Sequence, residues 1–232
     1  MTATEAHLIL EGSDDVSLTN RAYREIEEQI VTLRLPPGQV LSEAGLSKYL
    51  DIGRTPVREA LQQLSREGLV AIFPRRGVIV SEINIRNQLE LLRVRREVER
   101  LMARLAAERA SKQEVADFAS IAAAISDSAN DSDALGFMRL DRDLNLLVAN
   151  ACRNDYACRA MGLMQGLSRR FWYLHYREVL DLPKCAEVHA GLAAAIAAKD
   201  KEAAAAASDL LIDYIESFTR SSLDSAAWPA SA

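Results

Sequence analysis

The stretch Arg54-Thr55-Pro56-Val57-Arg58-Glu59-Ala60-Leu61-Gln62-Gln63-Leu64 constrains the fold of this chain more than any other. Val57, Leu61 and Leu64 recur at helical spacing and give a short helix one inward-facing side. Arg54 and Arg58 stand four apart, so both leave the same helix face. Pro56 suits a first helical turn, where its missing N–H would have had no partner. A short helix with a cationic N-terminal face and an apolar back has the form needed in a DNA major groove. Its first residues reach base edges and phosphates while its back docks on the rest of the domain. Taken alone, two arginines four apart more often mark a solvated face. The flanking sequence decides.

Upstream, a helix is expected from Thr19 or Asn20, either able to cap it, to Leu33, with Tyr23, Ile26, Ile30 and Leu33 as its apolar stripe. Leu35-Pro36-Pro37-Gly38 stops it. Ser42-Glu43 opens a second short helix with Leu46, Tyr49 and Leu50, and Asp51-Ile52-Gly53 turns into the Arg54–Arg66 helix, which Gly68 ends. Two β-prone runs, Leu69–Phe73 and Val78–Val80, flank Pro74-Arg75-Arg76-Gly77 and predict a hairpin with a cationic tip. Helix, helix, turn, helix and basic-tipped hairpin make a winged helix-turn-helix.

From about Ile85 onward every segment reads as helix. Leu91, Val94, Val98, Leu101, Met102 and Leu105 form the stripe of a long one. Further helices are expected over Lys112–Ser126, Ala134–Ala151, Tyr156–Leu180, Ala186–Ala198 and Lys201–Ser221. Asp131-Ser132-Asp133, Arg153-Asn154-Asp155, Leu182-Pro183-Lys184 and Lys199-Asp200 are the breaks. The expected fold is mostly α: an N-terminal winged helix-turn-helix, then an all-helical antiparallel bundle of about six helices. Residues 1–18 read as a flexible tail, 19–83 as the winged helix, 84–221 as the bundle and 222–232 as a second tail.

Charge follows the same division. The total is −5, but Arg21–Val80 holds nine basic against seven acidic residues, so that +2 there leaves −7 elsewhere. A mildly basic head on an acidic remainder fits a DNA reader carrying a second module. No apolar run is long enough for a membrane span, and no basic-then-apolar leader follows Met1. Cys152, Cys158 and Cys185 are odd in number and lack CxxC spacing, which points to a reducing cytoplasm and away from zinc fingers.

Four segments occur in order across the head: Leu35-Pro36-Pro37-Gly38, Gly53-Arg54-Thr55-Pro56-Val57-Arg58-Glu59-Ala60-Leu61, Glu67-Gly68-Leu69-Val70 and Pro74-Arg75-Arg76-Gly77. In wording and spacing they resemble the DNA-binding domain of the GntR family of bacterial transcription regulators. The resemblance implies that Arg54, Thr55 and Arg58 contact an operator in the major groove, and that Arg75, Arg76 and Gly77 enter the adjacent minor groove. Arginine can bridge two guanine acceptors, Thr55 can cap the helix or bond a phosphate, and Gly77 permits close backbone approach. Gly53 stands where serine or threonine is common in the family, and Ala44 where a basic residue is. Both departures imply fewer backbone contacts.

The helical remainder resembles the effector-binding domain of the FadR subfamily, in its VanR-like branch. The matching residues are Arg95-Arg96-Glu97-Val98-Glu99, Asp141 with the helix leading to Asn154, and His189 with Ala195-Ile196 and Asp200. Many members hold a divalent metal with Asp-x-x-x-His on one helix and two later histidines. Here Asp141 and His189 match two positions, Asn145 replaces the first histidine, and the last position falls near Leu211. Asp209 or Asp213 would substitute only with a slip of register. The expectation is therefore a polar pocket of Asp141, Asn145 and His189 bonded to ligand or water, with a divalent metal at Asp141 and His189 as the lesser reading.

The resemblance also places Arg95 facing the cavity, where a guanidinium binds a carboxylate in bidentate fashion; from the residues alone, Arg95 and Glu99 equally read as an ion pair. A small organic acid or another anion is the implied effector. Along Arg169–Arg177, Arg169, Tyr173 and Arg177 share one helix face and Trp172 with Tyr176 another, lining a pocket or snorkelling from an amphipathic helix.

Together these readings give a cytoplasmic, homodimeric, ligand-responsive regulator, by default a repressor, that binds a palindromic double-stranded DNA operator and no membrane. The alternative is a metabolite-binding or metal-dependent enzyme with a vestigial DNA-binding head. Its one imaginable nucleophile pair is His175 with Cys158 or Cys185, without motif context.

Overall fold

The computed structural model describes residues 17–74, 77–130, 134–179 and 181–225. Most of both expected tails, the wing-tip arginines Arg75 and Arg76, and the Asp131-Ser132-Asp133 break lie outside those residues. What is described falls into two units. One comprises residues up to Asn84 with Leu163–Leu174, and the other Ile85–Gly162 with the residues from His175 onward.

Helix α1, Leu18–Val31, starts earlier than expected because Ser17 caps it: the Ser17 hydroxyl accepts from the Asn20 amide at 3.2 Å. It also stops earlier. The Thr32 hydroxyl donates to the Glu28 carbonyl and Leu33 swings to φ 59°, so Leu33 belongs to the turn and Ala22, Ile26, Ile30 and Val31 form the buried face. Helix α2, Glu43–Leu50, is capped by Ser42 on the Gly45 amide at 3.0 Å and ends at Asp51 in the left-handed region. Helix α3 spans Arg54–Arg66 as the sequence predicts and buries Val57, Ala60, Leu61 and Leu64. Past its end Gly68 holds φ 76°, a conformation that costs a residue with a Cβ and explains this glycine.

Three strands follow the order β1-β3-β2. The expected hairpin is β2, Val70–Phe73, with β3, Gly77–Val80, in register Val70↔Val80 to Phe73↔Gly77. Strand β1, Val40–Leu41, adds to the other edge of β3 through Val40↔Ile79 and Leu41↔Val78. Two residues are too few to carry a period, which is why the sequence does not reveal β1. The sheet and α1–α3 close over one core containing Ile26, Ile30, Leu46, Leu61, Leu64 and Leu69, with Leu167 packed against it. Leu64 is completely buried, so Leu64→Ala is expected to destabilise this unit by about 2–5 kcal/mol, read as a lower denaturant midpoint.

The second unit is helical. Its elements are α4 (Ile85–Arg109), α5 (Lys112–Asn130), α6 (Ala134–Cys152), the two ends of α7 (Asp155–Val179, whose Leu163–Leu174 stretch belongs to the first unit), α8 (Leu182–Ala197) and α9 (Lys201–Ser225). The main packing pairs are α4 with α9 and α6, α5 with α8 and α6, and α8 with α9. Several boundaries differ from expectation, and α5 runs on to Asn130 where Ser126 was the expected end. Leu182-Pro183-Lys184 is the first turn of α8, not a break: Asp181 caps it through the Lys184 amide, and a first turn has no use for the N–H that proline lacks. Helix α9 continues through residues 222–225, which were expected in the tail. No helix among the described residues is long and apolar enough to cross a membrane.

Candidate functional site

Arg54, Thr55 and Arg58 are all exposed at the N-terminal end of α3, while Val57 and Leu61 behind them are buried. Local chemistry fixes this arrangement. Gly53 is the N-cap and contributes no side-chain cap, so Thr55, already inside the first turn, keeps its hydroxyl for other use. The neighbouring α2 contributes a residue the sequence reading overlooked. Glu43 grips Arg58 with both carboxylate oxygens, accepting from Nε at 3.0 and 3.1 Å and from Nη2 at 2.8 Å. These hydrogen bonds, helped by the charges of Arg58 and Arg54, hold the Glu43 carboxyl below its ordinary range against the opposing effect of burial. The guanidinium is thus preset, with its other edge available for a ligand. At the wing, Gly77 sits at φ 90° with the Leu41 carbonyl close to where a Cβ would be, so the hairpin itself requires this glycine. Its tip partners Arg75 and Arg76 lie outside the described residues.

In the helical unit Asp141, Asn145 and His189 do come together. Asn145 Nδ2 donates to Asp141 Oδ1 at 3.0 Å, and His189 Nε2 lies 3.2 Å from the same oxygen. On its other side His189 Nδ1 is 2.7 Å from the Cys185 carbonyl. A carbonyl only accepts, so Nδ1 carries a proton; a carboxylate bond from Nε2 needs one there as well. His189 is therefore an imidazolium. Burial works against that charge, but the hydrogen bond and charge of Asp141, with Cys185 beside the ring, outweigh it and raise the His189 pKa well above its ordinary value. Phe137 meets the ring edge-on at a centroid distance of 5.1 Å.

This constellation does not fit a transition metal. Only Asp141 and His189 are good ligands; Asn145 offers an amide where a histidine would bind, and Leu211 is buried and apolar. Asp209 and Asp213 do not replace it, because they face α4. Asp209 accepts from Arg100 Nε at 2.9 Å, and Asp213 from Arg96 Nη2 at 2.6 Å. Among the described residues no group of three His, Cys, Asp or Glu side chains is placed to hold an ion.

Arg95 is mostly buried and hydrogen-bonds Glu99 one turn along, so the ion-pair reading holds but away from the open surface. A shallow groove of about 330 Å³ at the start of α4 is lined by Arg86, Glu90, Arg93, Glu216 and Arg220 with Ile85 and Leu89, and by none of the predicted pocket residues. Cys185 stands 3.8 Å from His189.

The stretch Leu163–Leu174 of α7 holds a further residue that the sequence conceals. Arg169 pairs with Glu27 at 3.0 Å, yet its neighbour Arg170 is the buried one, donating to the carbonyls of Ser81 at 2.8 Å and Glu82 at 3.3 Å. Burial pushes its guanidinium down to about 10, partly offset by Glu82, which still leaves it charged at neutral pH. Nothing in a run of two arginines says which one turns inward.

Two family models match. The one for the bacterial regulatory proteins of the gntR family covers residues 18–80, and the FCD domain model covers 90–214. An HTH-type transcriptional regulator from an unstable DNA locus of Streptomyces ambofaciens is 44% identical over 68 residues, 28% of this chain and 29% of its own length. The HTH-type transcriptional regulator McbR of Escherichia coli is 26% identical over 189 residues, 81% of this chain and 86% of that protein. The solved structure of E. coli McbR/YncC superposes with a TM-score of 0.74 at 23% identity, covering 90% of this chain and 99% of its own. The first relatives named by sequence are thus spanned only in part, whereas McbR is spanned nearly whole and shares the fold. With the FCD model alone covering more than half of the sequence, this chain belongs to the GntR family of bacterial regulatory proteins and carries an FCD domain.

Proposed function

We propose that the chain is a DNA-binding transcription regulator whose FCD domain senses a small metabolite. The observation that carries it is the exposed trio Arg54, Thr55 and Arg58 at the start of α3, on a helix whose back is sealed into a winged-helix core. In this reading α3 enters the major groove, the wing with Arg75, Arg76 and Gly77 enters the minor groove, and a homodimer meets the two halves of a palindrome. Repression is the default sign. Within the family, the FadR subfamily and its VanR-like branch remain the assignment that Arg95–Glu99, Asp141 and His189 support.

The effector is a small organic acid. Its carboxylate takes the place of Glu99 on Arg95, whose guanidinium is already largely out of water. Asp141, Asn145 and His189 supply a fixed polar wall without a metal. The enzyme reading is not favoured: the relatives named above are transcriptional regulators, and Cys185, 3.8 Å from His189, is fully buried.

A panel of small carboxylates and sugar acids tests the sensing half. At least one is expected to raise the melting temperature, since binding to the folded state alone stabilises by an amount set by concentration over Kd. The same compound should change DNA affinity, and Arg95→Ala should abolish both effects. A panel without a hit contradicts the anion-sensing pocket.

A further inference from the structure

Cys152 and Cys158 take no part in either site, and their placement is unusual. Cys152 is the last residue of α6 and fully buried; Cys158 is in the opening turns of α7 and partly exposed. Their sulphurs lie 3.7 Å apart, and both point at the Ala149 carbonyl, at 3.2 and 3.4 Å. The corner between them is fixed from several sides. Arg153 adopts φ 45° and binds Glu114 at 2.8 Å, Asn154 caps the amides of Tyr156 and Ala157, and Arg109 holds the Cys152 carbonyl at 2.8 Å. The backbone thus keeps two thiols in van der Waals contact, one within reach of solvent and one behind it.

We propose that Cys152 and Cys158 form an intramolecular oxidation site that closes to a disulfide under attack by a small disulfide. Cys158, the exposed partner, reacts first. Its sulphur bonds one sulphur of the small disulfide, that S–S bond breaks, and the departing thiol carries away the proton Cys158 loses. Cys152 then attacks Cys158 Sγ; the Cys152–Cys158 bond forms and the second small thiol leaves with the proton from Cys152. Two protein thiols are oxidised and one small disulfide is reduced to two thiols. The sulphurs need only close from 3.7 Å to the roughly 2.0 Å of a disulfide.

Burial, with Cys152 and Asp155 adding to it, pushes the Cys158 thiol up to about 11, so the first step is slow at neutral pH and the pair stays reduced under ordinary conditions. It responds to sustained disulfide stress. The bond then pins the end of the helix that carries Asp141 and Asn145. Cys185 is an internal control, being fully buried with its sulphur 3.8 Å from the His189 ring.

The test treats the full chain with oxidised glutathione, alkylates under denaturing conditions and maps the peptides by mass. The expected product is a Cys152–Cys158 linkage within one chain, with Cys185 alkylated as a free thiol. Cys152→Ser should instead accumulate glutathione on Cys158, and Cys158→Ser should leave Cys152 free. Three free thiols in the wild type, a glutathione adduct that persists on Cys158, or a disulfide-linked pair of chains would each overturn the proposal. Equal glutathionylation of Cys152 in Cys158→Ser would overturn the order of attack.

Discussion

Arg58→Ala is expected to weaken binding to the operator roughly ten- to a hundredfold at fixed salt while leaving the melting temperature unchanged. The loss follows from position. Arg58 is exposed on the N-terminal face of α3, lies outside the buried core beneath it, and is gripped by Glu43. Glu43→Gln provides the complementary measurement. It removes the charge that presets the guanidinium but leaves Arg58 in place, so affinity should change less than in Arg58→Ala, while discrimination between operator and random duplex should fall. Equal affinity of Arg58→Ala and wild type would remove Arg58 from the interface.

The second large effect is expected at the Asp141–His189 pair. His189 has a folded pKa well above its unfolded value near 6.5, so its contribution to stability is complete below about pH 6.5 and disappears as pH rises through the higher folded value. Asp141→Ala leaves a buried imidazole with a carbonyl on one nitrogen and no counter-charge on the other. About 1–3 kcal/mol of stability at pH 6 is the expected loss; Asp141 is 37% exposed, which screens the pair, and the ring can shed its proton, so the full cost of a stranded buried charge does not apply. The loss should shrink toward alkaline pH. Nitrogen chemical shifts of the ring should report both nitrogens protonated at pH 7 in the wild type, with the second proton leaving at lower pH in Asp141→Asn than in the wild type. A neutral His189 in the wild type would contradict the hydrogen-bond assignment.

The winged helix was legible residue by residue because its signals are local. Helix α3 matches its expected ends, Gly68 and Gly77 both have positive φ, and the hairpin has the expected strands. Strand β1 was hidden because its two residues pair with β3 across the intervening helices. Helix ends were the weaker part. Ser17 and Asp181 cap α1 and α8 from positions that the apolar period does not reach, and Pro183 signals a first turn as readily as a break.

The cluster of Asp141, Asn145 and His189 was legible only in part. The i,i+4 spacing of Asp141 and Asn145 puts them on one face, and His189 joins them from α8. The carbonyl of Cys185 that fixes the ring tautomer, the inward turn of Arg170 and the grip of Glu43 on Arg58 are tertiary or rotameric facts. No periodicity encodes them.

The most direct test of the regulator reading is selection of bound sequences by the purified full chain from a pool of random duplex DNA at physiological salt. Enrichment of a two-fold symmetric sequence, lost when Arg54 and Arg58 are both changed to alanine, is the expected result. A pool that stays random, or one that the double variant enriches equally well, would contradict a DNA-reading function for α3.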